Sequence, residues 1–333
     1  MIRADQIRRN GERPLLISIV GPTAIGKTGL AIDIARHVGT EILSADSRQF
    51  YKGIPIGTAA PTAEERAQAP HHFVEFLSLD EKYSSGKFAT DAVDWLNAFF
   101  QRRESEGKNQ VAIMVGGSGL YTQAVQEGLD DVPSDPDVRA SLNAQYAAEG
   151  LAPLLAELLE RDPLHHAAVD PSNPHRVIRA LEVCRITGRT YSAFRNRSQN
   201  RSQVHASGWT SCAERHWDTL TLGLNAPRPM LHARINSRTT QMIEAGWLNE
   251  ARSVLDFREA NALRTVGYPQ LFDVLEGRME MDAAITRIQE ATRQFARRQL
   301  TWFHRQPGVH WMDARYPQRG LDLVHQFMEH GHI

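Results

Sequence analysis

A glycine-rich octet near the start of the chain has the residue types and spacing of a phosphate site. It fits the pattern G-x-x-x-x-G-K-[ST], follows the apolar run Leu15–Val20 and leads into a helical pattern. Its residues are Gly21, Pro22, Thr23, Ala24, Ile25, Gly26, Lys27 and Thr28. The glycines let successive N–H groups face an anion, and the helix beginning at Lys27 adds its positive end. Lys27 can neutralise phosphate charge and Thr28 can bind Mg²⁺, so the octet predicts a phosphate-chain site whose default ligand is ATP.

Two more polar residues follow strand patterns. Asp46 comes just after Glu41–Ser44, and Ser118 ends the glycine turn that follows Gln110–Val115. Because the carboxyl ends of parallel strands line the ligand crevice, we expect both side chains beside the octet. For Asp46, a role as a helix cap or turn residue is the alternative.

The turn at the end of Gln110–Val115 also narrows the classes of reaction that the protein could catalyse. Ordinary P-loop hydrolases carry an acid after such a strand, which holds Mg²⁺. Here the strand pattern ends in Gly-Gly-Ser instead. This disfavours an NTPase motor or switch and leaves a small-molecule kinase open.

The elements that must position these residues alternate between strand and helix. This alternation predicts an α/β fold, with a P-loop-type parallel sheet core flanked by helices. Near Gly128 the composition changes to an acidic, proline-broken stretch, which precedes three helical patterns and a polar connection over Arg189–Ser211. We predict a catalytic core over 12–127 and 211–315, an all-helical insertion domain over 128–210 that contacts the partner, and a tail over 316–333.

Composition places the chain among ordinary globular proteins. It has 333 residues, of which 41% are hydrophobic and 23% charged. No apolar run approaches the length of a membrane span, so no membrane association is expected. Cys184 and Cys212 form neither a disulfide framework nor a zinc motif, which favours a cytoplasmic location.

Charge is unevenly distributed on a chain whose net charge is only −1. Arginines concentrate in 185–201 and 287–305, against a single acid, Glu290. Such local basic surface suits a partner with a phosphate-rich face, and solvated helix faces are the alternative. The arginines are Arg185, Arg189, Arg195, Arg197, Arg201, Arg287, Arg293, Arg297, Arg298 and Arg305.

Taken together, the motifs resemble one family. In chain order GPTAIGKT, DSRQFYKG, APHH, VGGSGLY, NPHRVIRALEV, VGYPQ and TRQFARRQLTWF are similar to the bacterial-type tRNA dimethylallyltransferases, also called tRNA isopentenyl transferases. The resemblance implies transfer of a dimethylallyl group from dimethylallyl diphosphate to the exocyclic amine of an adenine, with release of diphosphate. That adenine lies just 3′ of the anticodon in tRNAs that read codons starting with U. The resemblance also implies Mg²⁺, a monomer, and a channel that tRNA enters at one end and the donor at the other.

The resemblance further assigns roles to residues of this chain. It implies Asp46 as the general base, and Lys27, Thr28 and Arg238 as groups that hold the departing diphosphate, while Ser118 stands where the family usually has threonine. The implied tRNA contacts are Asp46, Ser47, Arg48, Gln49, Ser118, Arg139, His175, Arg176, Val177, Ile178, Arg179, Arg264, Thr265, Val266, Gly267, Tyr268 and Pro269. Ion pairs with Glu182 are the alternative for Arg176 and Arg179, and core packing is favoured for Trp302.

Two departures and three rival functions stay open. Ala60 replaces the lysine that the family commonly has, and Pro269 replaces a basic residue and removes a backbone N–H. Both concern tRNA affinity more than chemistry. The rivals are an adenylate isopentenyltransferase acting on free AMP or ADP, a P-loop small-molecule kinase, and a non-enzymatic RNA-binding protein.

Overall fold

A mostly parallel sheet forms the centre of the larger of two compact units, whose boundaries lie after Gly128 and before Ser202. The structure is a computed structural model, and it describes residues 13–129, 132–195, 202–205 and 208–330. The strands are β1 Leu15–Val20, β2 Ile42–Ser44, β3 His71–His72, β4 Val111–Val115, β5 Ser202–Val204, β6 Thr210–Cys212, β7 Asp218–Asn225 and β8 Val309–Asp313. Their order is β3-β2-β4-β1-β7-β6-β5, and β8 also pairs with β7.

Helices connect these strands and build the second unit. They are α1 Lys27–Val38, α2 Pro55–Thr58, α3 Ala63–Gln68, α4 Ser85–Ser105, α5 Gly119–Glu127, α6 Pro136–Glu149, α7 Ala152–Arg161, α8 Pro163–Ala168, α9 Pro174–Thr187, α10 Tyr191–Arg195, α11 Arg228–Glu244, α12 Trp247–Ser253, α13 Tyr268–Leu275, α14 Met281–Phe303 and α15 Gln318–His330. Short 3₁₀ turns cover Leu255–Phe257 and Asn261–Leu263. Among the described helices, none is both long and apolar enough to cross a membrane.

The register of the parallel strands brings three loops to one edge of the sheet. Ile19 pairs with Val115 across β1 and β4, and Ser44 pairs with Val115 across β2 and β4. The octet, the turn at Asp46 and the glycine turn after Val115 therefore leave the sheet side by side. This confirms the predicted α/β fold class and places the candidate residues at the carboxyl edge.

The sheet is covered on both faces. Side chains of β1 alternate between two cores, with Leu16 on the side of α4 and Ile17 on the side of α1. All six residues of β1 are buried. A strand buried on both faces is apolar throughout, which is why the sequence pattern of β1 is continuous rather than alternating.

The residues expected to form a tail are largely helical instead. In α15, Val324, Phe327 and Met328 are buried in the core that contains α1. Their spacing places them on one helical face, so the helix closes one side of the sheet. Residues 331–333 lie outside the described part of the chain.

The second unit is built from α6 to α10 around an apolar cluster that includes Leu142, Leu158, Val177 and Leu181. The expected end of the insertion at residue 210 is placed too late. Strands β5 and β6 pair with each other, and β6 pairs with β7, so both belong to the sheet of the first unit. Their side chains are mostly half-buried or exposed. The sequence of such a hairpin lacks the alternating apolar pattern by which strands are predicted. Of the expected boundary residues and arginines, residue 12, Asp130, Asp131, Arg197 and Arg201 lie outside the described residues.

Candidate active site

The octet joins β1 to α1 in a conformation that needs glycine. Gly21 has φ 142°, and a Cβ there would lie 2.6 Å from the carbonyl oxygen of Leu224 on β7. Gly26, with φ 103°, precedes α1 and has no side chain to cap it. The first N–H groups of α1 are thus left for an anion, as the sequence predicts for a phosphate site.

Lys27 lies in an electrostatic cluster with Asp46 and Arg238. Its Nζ donates to the carbonyl of Pro22 at 2.8 Å. Desolvation lowers the pKa of Lys27 to about 8, with the Asp46 charge opposing and the Arg238 charge adding to this shift. Burial also lowers the pKa of Arg238, and again Asp46 opposes it. Two cations and one carboxylate from three separate segments therefore meet at the carboxyl edge of the sheet.

Asp46 is both a turn residue and a cavity residue. Its Oδ1 accepts the N–H of Arg48 at 3.0 Å, which confirms the turn alternative for that oxygen. The residue also lines the larger cavity with Arg238 and Ser118. Ser118 Oγ accepts the N–H of Ser47 at 3.1 Å and lies 3.2 Å from Ser47 Oγ. The glycine turn is thereby tied to the loop that carries Asp46.

Two cavities within the first unit meet at shared residues. The larger measures about 800 Å³ and contains Asp46 and Ser118. The other measures about 690 Å³ and contains Thr28 and Ala60. Arg238 and Met242 line both. Both cavities therefore reach Arg238 of the Lys27–Asp46–Arg238 cluster, and the larger also reaches Asp46.

Helix α14 contributes two residues whose roles the sequence did not predict. Gln299 accepts the N–H of Thr23 at 2.8 Å and donates to the carbonyl of Gly117 at 2.9 Å. Trp302 lines the larger cavity, and its buried Nε1 has no hydrogen-bond partner among the described residues. Core packing is therefore an incomplete description of Trp302. The only sequence clue was their place in the motif TRQFARRQLTWF.

Glu250, a carboxylate that the sequence did not point to, is bonded to the segment that lies between the two cavities. Glu250 accepts the N–H groups of Ile56 and Gly57 at 2.7 and 2.8 Å, and the hydroxyl of Tyr268 at 2.6 Å. Burial is the main cause of the raised pKa of Tyr268, and the nearby Glu250 raises it further. Gln49 donates to the carbonyl of Ala59 on the same loop at 2.9 Å. Gln49 and the fully buried Tyr268, both expected to contact RNA, thus have structural partners inside the protein.

The segment 264–269 borders the larger cavity through Arg264, Thr265, Val266 and Pro269. Pro269 lies in the first turn of α13, where a backbone N–H has no partner within the helix. Its missing N–H therefore costs the helix nothing, and only the missing charge distinguishes it from a basic residue. Gly267 is buried before α13. Arg48 reaches this segment by donating to the carbonyl of Arg264 at 3.4 Å, and it also donates to the carbonyl of Asn261 just before the segment.

In the second unit, arginines expected to contact tRNA hold a buried carboxylate. The side chain of Glu182 is 1% exposed and pairs with Arg139 and, at 2.6 Å, with Arg179. Arg179 also donates to the carbonyls of Val132 and Pro133 at 2.8 and 3.0 Å. Burial favours the neutral acid, but the hydrogen bonds from the two arginines outweigh it, and the pKa of Glu182 is lowered. The ion-pair alternative is confirmed for Arg179.

The remaining expected contacts of this unit divide by exposure. His175 and Arg176 are exposed on the first turn of α9. Val177 and Ile178 are buried in the apolar cluster, so their side chains are not on the surface. Of these four residues, His175 and Arg176 are therefore the ones whose side chains can reach RNA.

A glycine-rich turn between β1 and α1, a carboxylate after β2 and two cavities that share Arg238 are the features of a P-loop-type α/β protein with room for two ligands. Residues 49–306 match the IPP transferase family, and the chain belongs to that family. It is 45% identical over 299 residues to a tRNA dimethylallyltransferase of Christiangramia forsetii, covering 90% of this chain and 93% of the relative. The resemblance found in the sequence motifs is thereby confirmed.

Solved structures agree. The full-length tRNA isopentenylpyrophosphate transferase from Bacillus halodurans is 31% identical, with a TM-score of 0.66 and coverage of 95% of this chain and 97% of that one. A eukaryotic dimethylallyltransferase, crystallised acting on tRNA, is 24% identical with a TM-score of 0.77, covering 95% and 79% of the two chains, and it shares the fold.

Proposed function

We propose that this chain transfers the dimethylallyl group of dimethylallyl diphosphate to the exocyclic amine of the adenine 3′-adjacent to the anticodon, in tRNAs that read codons starting with U, and releases diphosphate. Membership of the IPP transferase family supports the reaction class. The observation that carries the proposal is the pair of cavities sharing Arg238, one beside Thr28 and the other beside Asp46. A donor and an acceptor can each occupy one cavity and meet at the cluster.

The donor's diphosphate fits the octet. The start of α1, Lys27 and Arg238 supply fixed positive charge where the leaving group gains negative charge. The bond that breaks joins carbon to oxygen, so the reaction needs no acid to activate water. This agrees with β4 being followed by Gly116, Gly117 and Ser118 rather than by an acid. The loop then holds a leaving group rather than ATP.

The acceptor adenine fits the larger cavity. A base must leave its stack to reach Asp46, and a cavity of about 800 Å³ has room for it. Tyr121, Phe295 and Trp302 line this cavity and offer aromatic surfaces for stacking. Asp46 can then accept the proton that the exocyclic amine loses as the new carbon–nitrogen bond forms.

Mg²⁺ fits as an ion held chiefly by the donor. Among the described residues there is no group of three or more His, Cys, Asp and Glu that could hold a metal. Thr28 lines the smaller cavity, and its hydroxyl is the protein ligand that such a site would use. Mg²⁺ commonly keeps few protein ligands and binds substrate phosphates, where it would neutralise charge.

Contacts with tRNA phosphates are proposed for exposed basic residues. Arg264 and Arg298 line the larger cavity and are exposed, as are His175 and Arg176 in the second unit. These positions suit phosphates of the anticodon stem-loop. A monomeric state and a cytoplasmic location stay predictions.

The test compares acceptors. Purified protein with Mg²⁺ and labelled dimethylallyl diphosphate is given an anticodon stem-loop bearing three consecutive adenines, or free AMP, and the products are separated by chromatography. The proposal expects label in the RNA alone. Label in AMP with none in the RNA would establish the adenylate isopentenyltransferase, and phosphate transfer from labelled ATP without use of the donor would establish a kinase.

A further inference from the structure

The side chain of Gln299 links the two glycine-containing turns of the site. It is 6% exposed and lies on the face of α14 that also presents Phe295 and Trp302 to the larger cavity. Its carbonyl oxygen accepts the N–H of Thr23, inside the octet. Its amide nitrogen donates to the carbonyl of Gly117, in the turn after β4. One carboxamide thus uses both ends at distances of 2.8 and 2.9 Å.

Close packing fixes this link. A Cβ at Gly117 would lie 2.3 Å from the Gln299 amide nitrogen and 3.5 Å from Lys27 Nζ. A side chain at position 117 would therefore displace the carboxamide. The glycine leaves the space that the Gln299 carboxamide occupies, and the same turn lies close to the ammonium of Lys27.

The link continues to the carboxylate. Gly117 precedes Ser118, whose hydroxyl accepts the N–H of Ser47. Ser47 directly follows Asp46 in the chain. A short series of bonds therefore connects Thr23 of the phosphate loop, through Gln299 and the glycine turn, to the loop of Asp46.

We propose that Gln299 is a positioning residue for the transfer reaction. It sets the distance between the octet that holds the departing diphosphate and the turn that orients Asp46. It touches neither bond that changes, and it acts through the backbone of Thr23 and Gly117. This role rests on the proposed function, because only a reaction that joins two separately bound substrates depends on that distance.

Two substitutions separate the bonds. Gln299→Leu keeps a similar volume and removes both. Gln299→Glu keeps an acceptor for the N–H of Thr23 but loses the donor to Gly117. Because a misplacement of about 1 Å can cost about 100-fold in rate, we expect kcat to fall about 10- to 100-fold in Gln299→Leu, with the affinity for the anticodon stem-loop unchanged. Gln299→Glu should not restore kcat.

Gln126→Leu is the matched control. Gln126 is likewise a helical glutamine whose carboxamide is bonded, since it donates to Thr221 Oγ1 of β7 at 3.3 Å, but it touches neither turn. It should keep the wild-type kcat. Thermal unfolding of all variants reports on folding, and Gln299→Glu serves if Gln299→Leu is unfolded.

The outcomes are distinct. Loss of kcat with retained stem-loop affinity and folding supports the role of Gln299. A folded Gln299→Leu with wild-type kcat, or a kcat that falls only in step with RNA affinity, overturns it. If the wild-type protein transfers no dimethylallyl group at all, the proposed function fails instead.

Discussion

At the scale of single residues, the site depends on charges that are partly removed from water. Asp46, Lys27 and Arg238 come from three segments, and burial is the main cause of the lowered pKa values of the two cations. Asp46 opposes both shifts, so the carboxylate keeps its neighbours protonated. In the proposed reaction this arrangement lets one group accept a proton while the other two hold negative charge.

Substitution of Asp46 by alanine should lower turnover without preventing RNA binding. A positioned general base contributes about 10²- to 10⁴-fold, so kcat should fall by that factor. Single-turnover rates measure this effect, and equilibrium binding of the anticodon stem-loop is the control. Turnover equal to that of the wild type would show that Asp46 is not the base.

Loss of the Lys27 proton should make kcat/KM fall at alkaline pH, which gives the pH profile an alkaline limb. With a pKa of about 8, the ammonium is lost as the pH rises through that value, and with it a contact to the diphosphate. The kcat/KM for dimethylallyl diphosphate, which reports on the free enzyme, should therefore fall above about pH 8. Lys27→Arg keeps its charge at high pH and should remove the limb. An unchanged limb in that variant would assign it to another group.

At the scale of elements, short loops are held by side chains from distant helices. Glu250 of α12 fixes the loop 54–60, and Gln299 of α14 fixes the octet.

Glu250→Gln keeps one acceptor oxygen but replaces the other with a donor that faces a backbone N–H. We expect the variant to weaken donor binding, because this loop lines the smaller cavity. The KM for the donor should rise and the stem-loop affinity should hold; an unchanged KM would show that the loop keeps its place without this carboxylate.

In the second unit, Glu182 and its arginines should govern stability. Replacing this buried carboxylate with an amide weakens its pairs with Arg139 and Arg179, whose side chains are partly exposed, and this costs about 1 kcal/mol. Glu182→Gln should therefore lower the denaturation midpoint. Because its folded pKa is lowered, the contribution is present above the ordinary carboxyl pKa and is lost as the pH falls through the folded value. Equal stability of variant and wild type at pH 7 would contradict this.

Neighbouring arginines on α9 should behave differently. Arg176 is exposed, whereas Arg179 is bonded to Glu182 and to two backbone carbonyls. Arg176→Ala should reduce the salt dependence of tRNA binding by about one unit of slope and leave stability unchanged. Arg179→Ala should lower stability. Binding titrations at several salt concentrations, with parallel unfolding curves, distinguish the two; an unchanged slope for Arg176→Ala would place it away from any phosphate.

At the scale of the molecule, the elements that depend on local sequence patterns were predicted better than those that depend on long-range contacts. The bounds of β1 match its sequence pattern, because an apolar run is a local feature. The hairpin of β5 and β6 and the helix α15 escaped prediction. The hairpin lacks apolar alternation, and α15 is recognised by what it packs against.

The same contrast holds for the site. The octet and Asp46 could be predicted from their spacing, because phosphate binding and proton transfer require those residue types at those positions. Gln299 and Glu250 are not, because their partners lie 276 and 194 positions away along the chain. Likewise the pairing of Arg139 with Glu182, 43 positions away, is revealed only by folding, whereas Arg179 lies one helical turn from Glu182 and that pair was an alternative from the sequence.

The central claim is that the glycine-rich loop holds the diphosphate of a prenyl donor as the carbon–oxygen bond breaks. Dimethylallyl diphosphate carrying ¹⁸O between carbon and phosphorus tests it directly. After reaction with the anticodon stem-loop in unlabelled water, mass spectrometry should find the ¹⁸O in diphosphate and an unlabelled dimethylallyl group on the RNA. Diphosphate without the label, with ¹⁸O retained in dimethylallyl alcohol, would show cleavage at phosphorus and contradict the account.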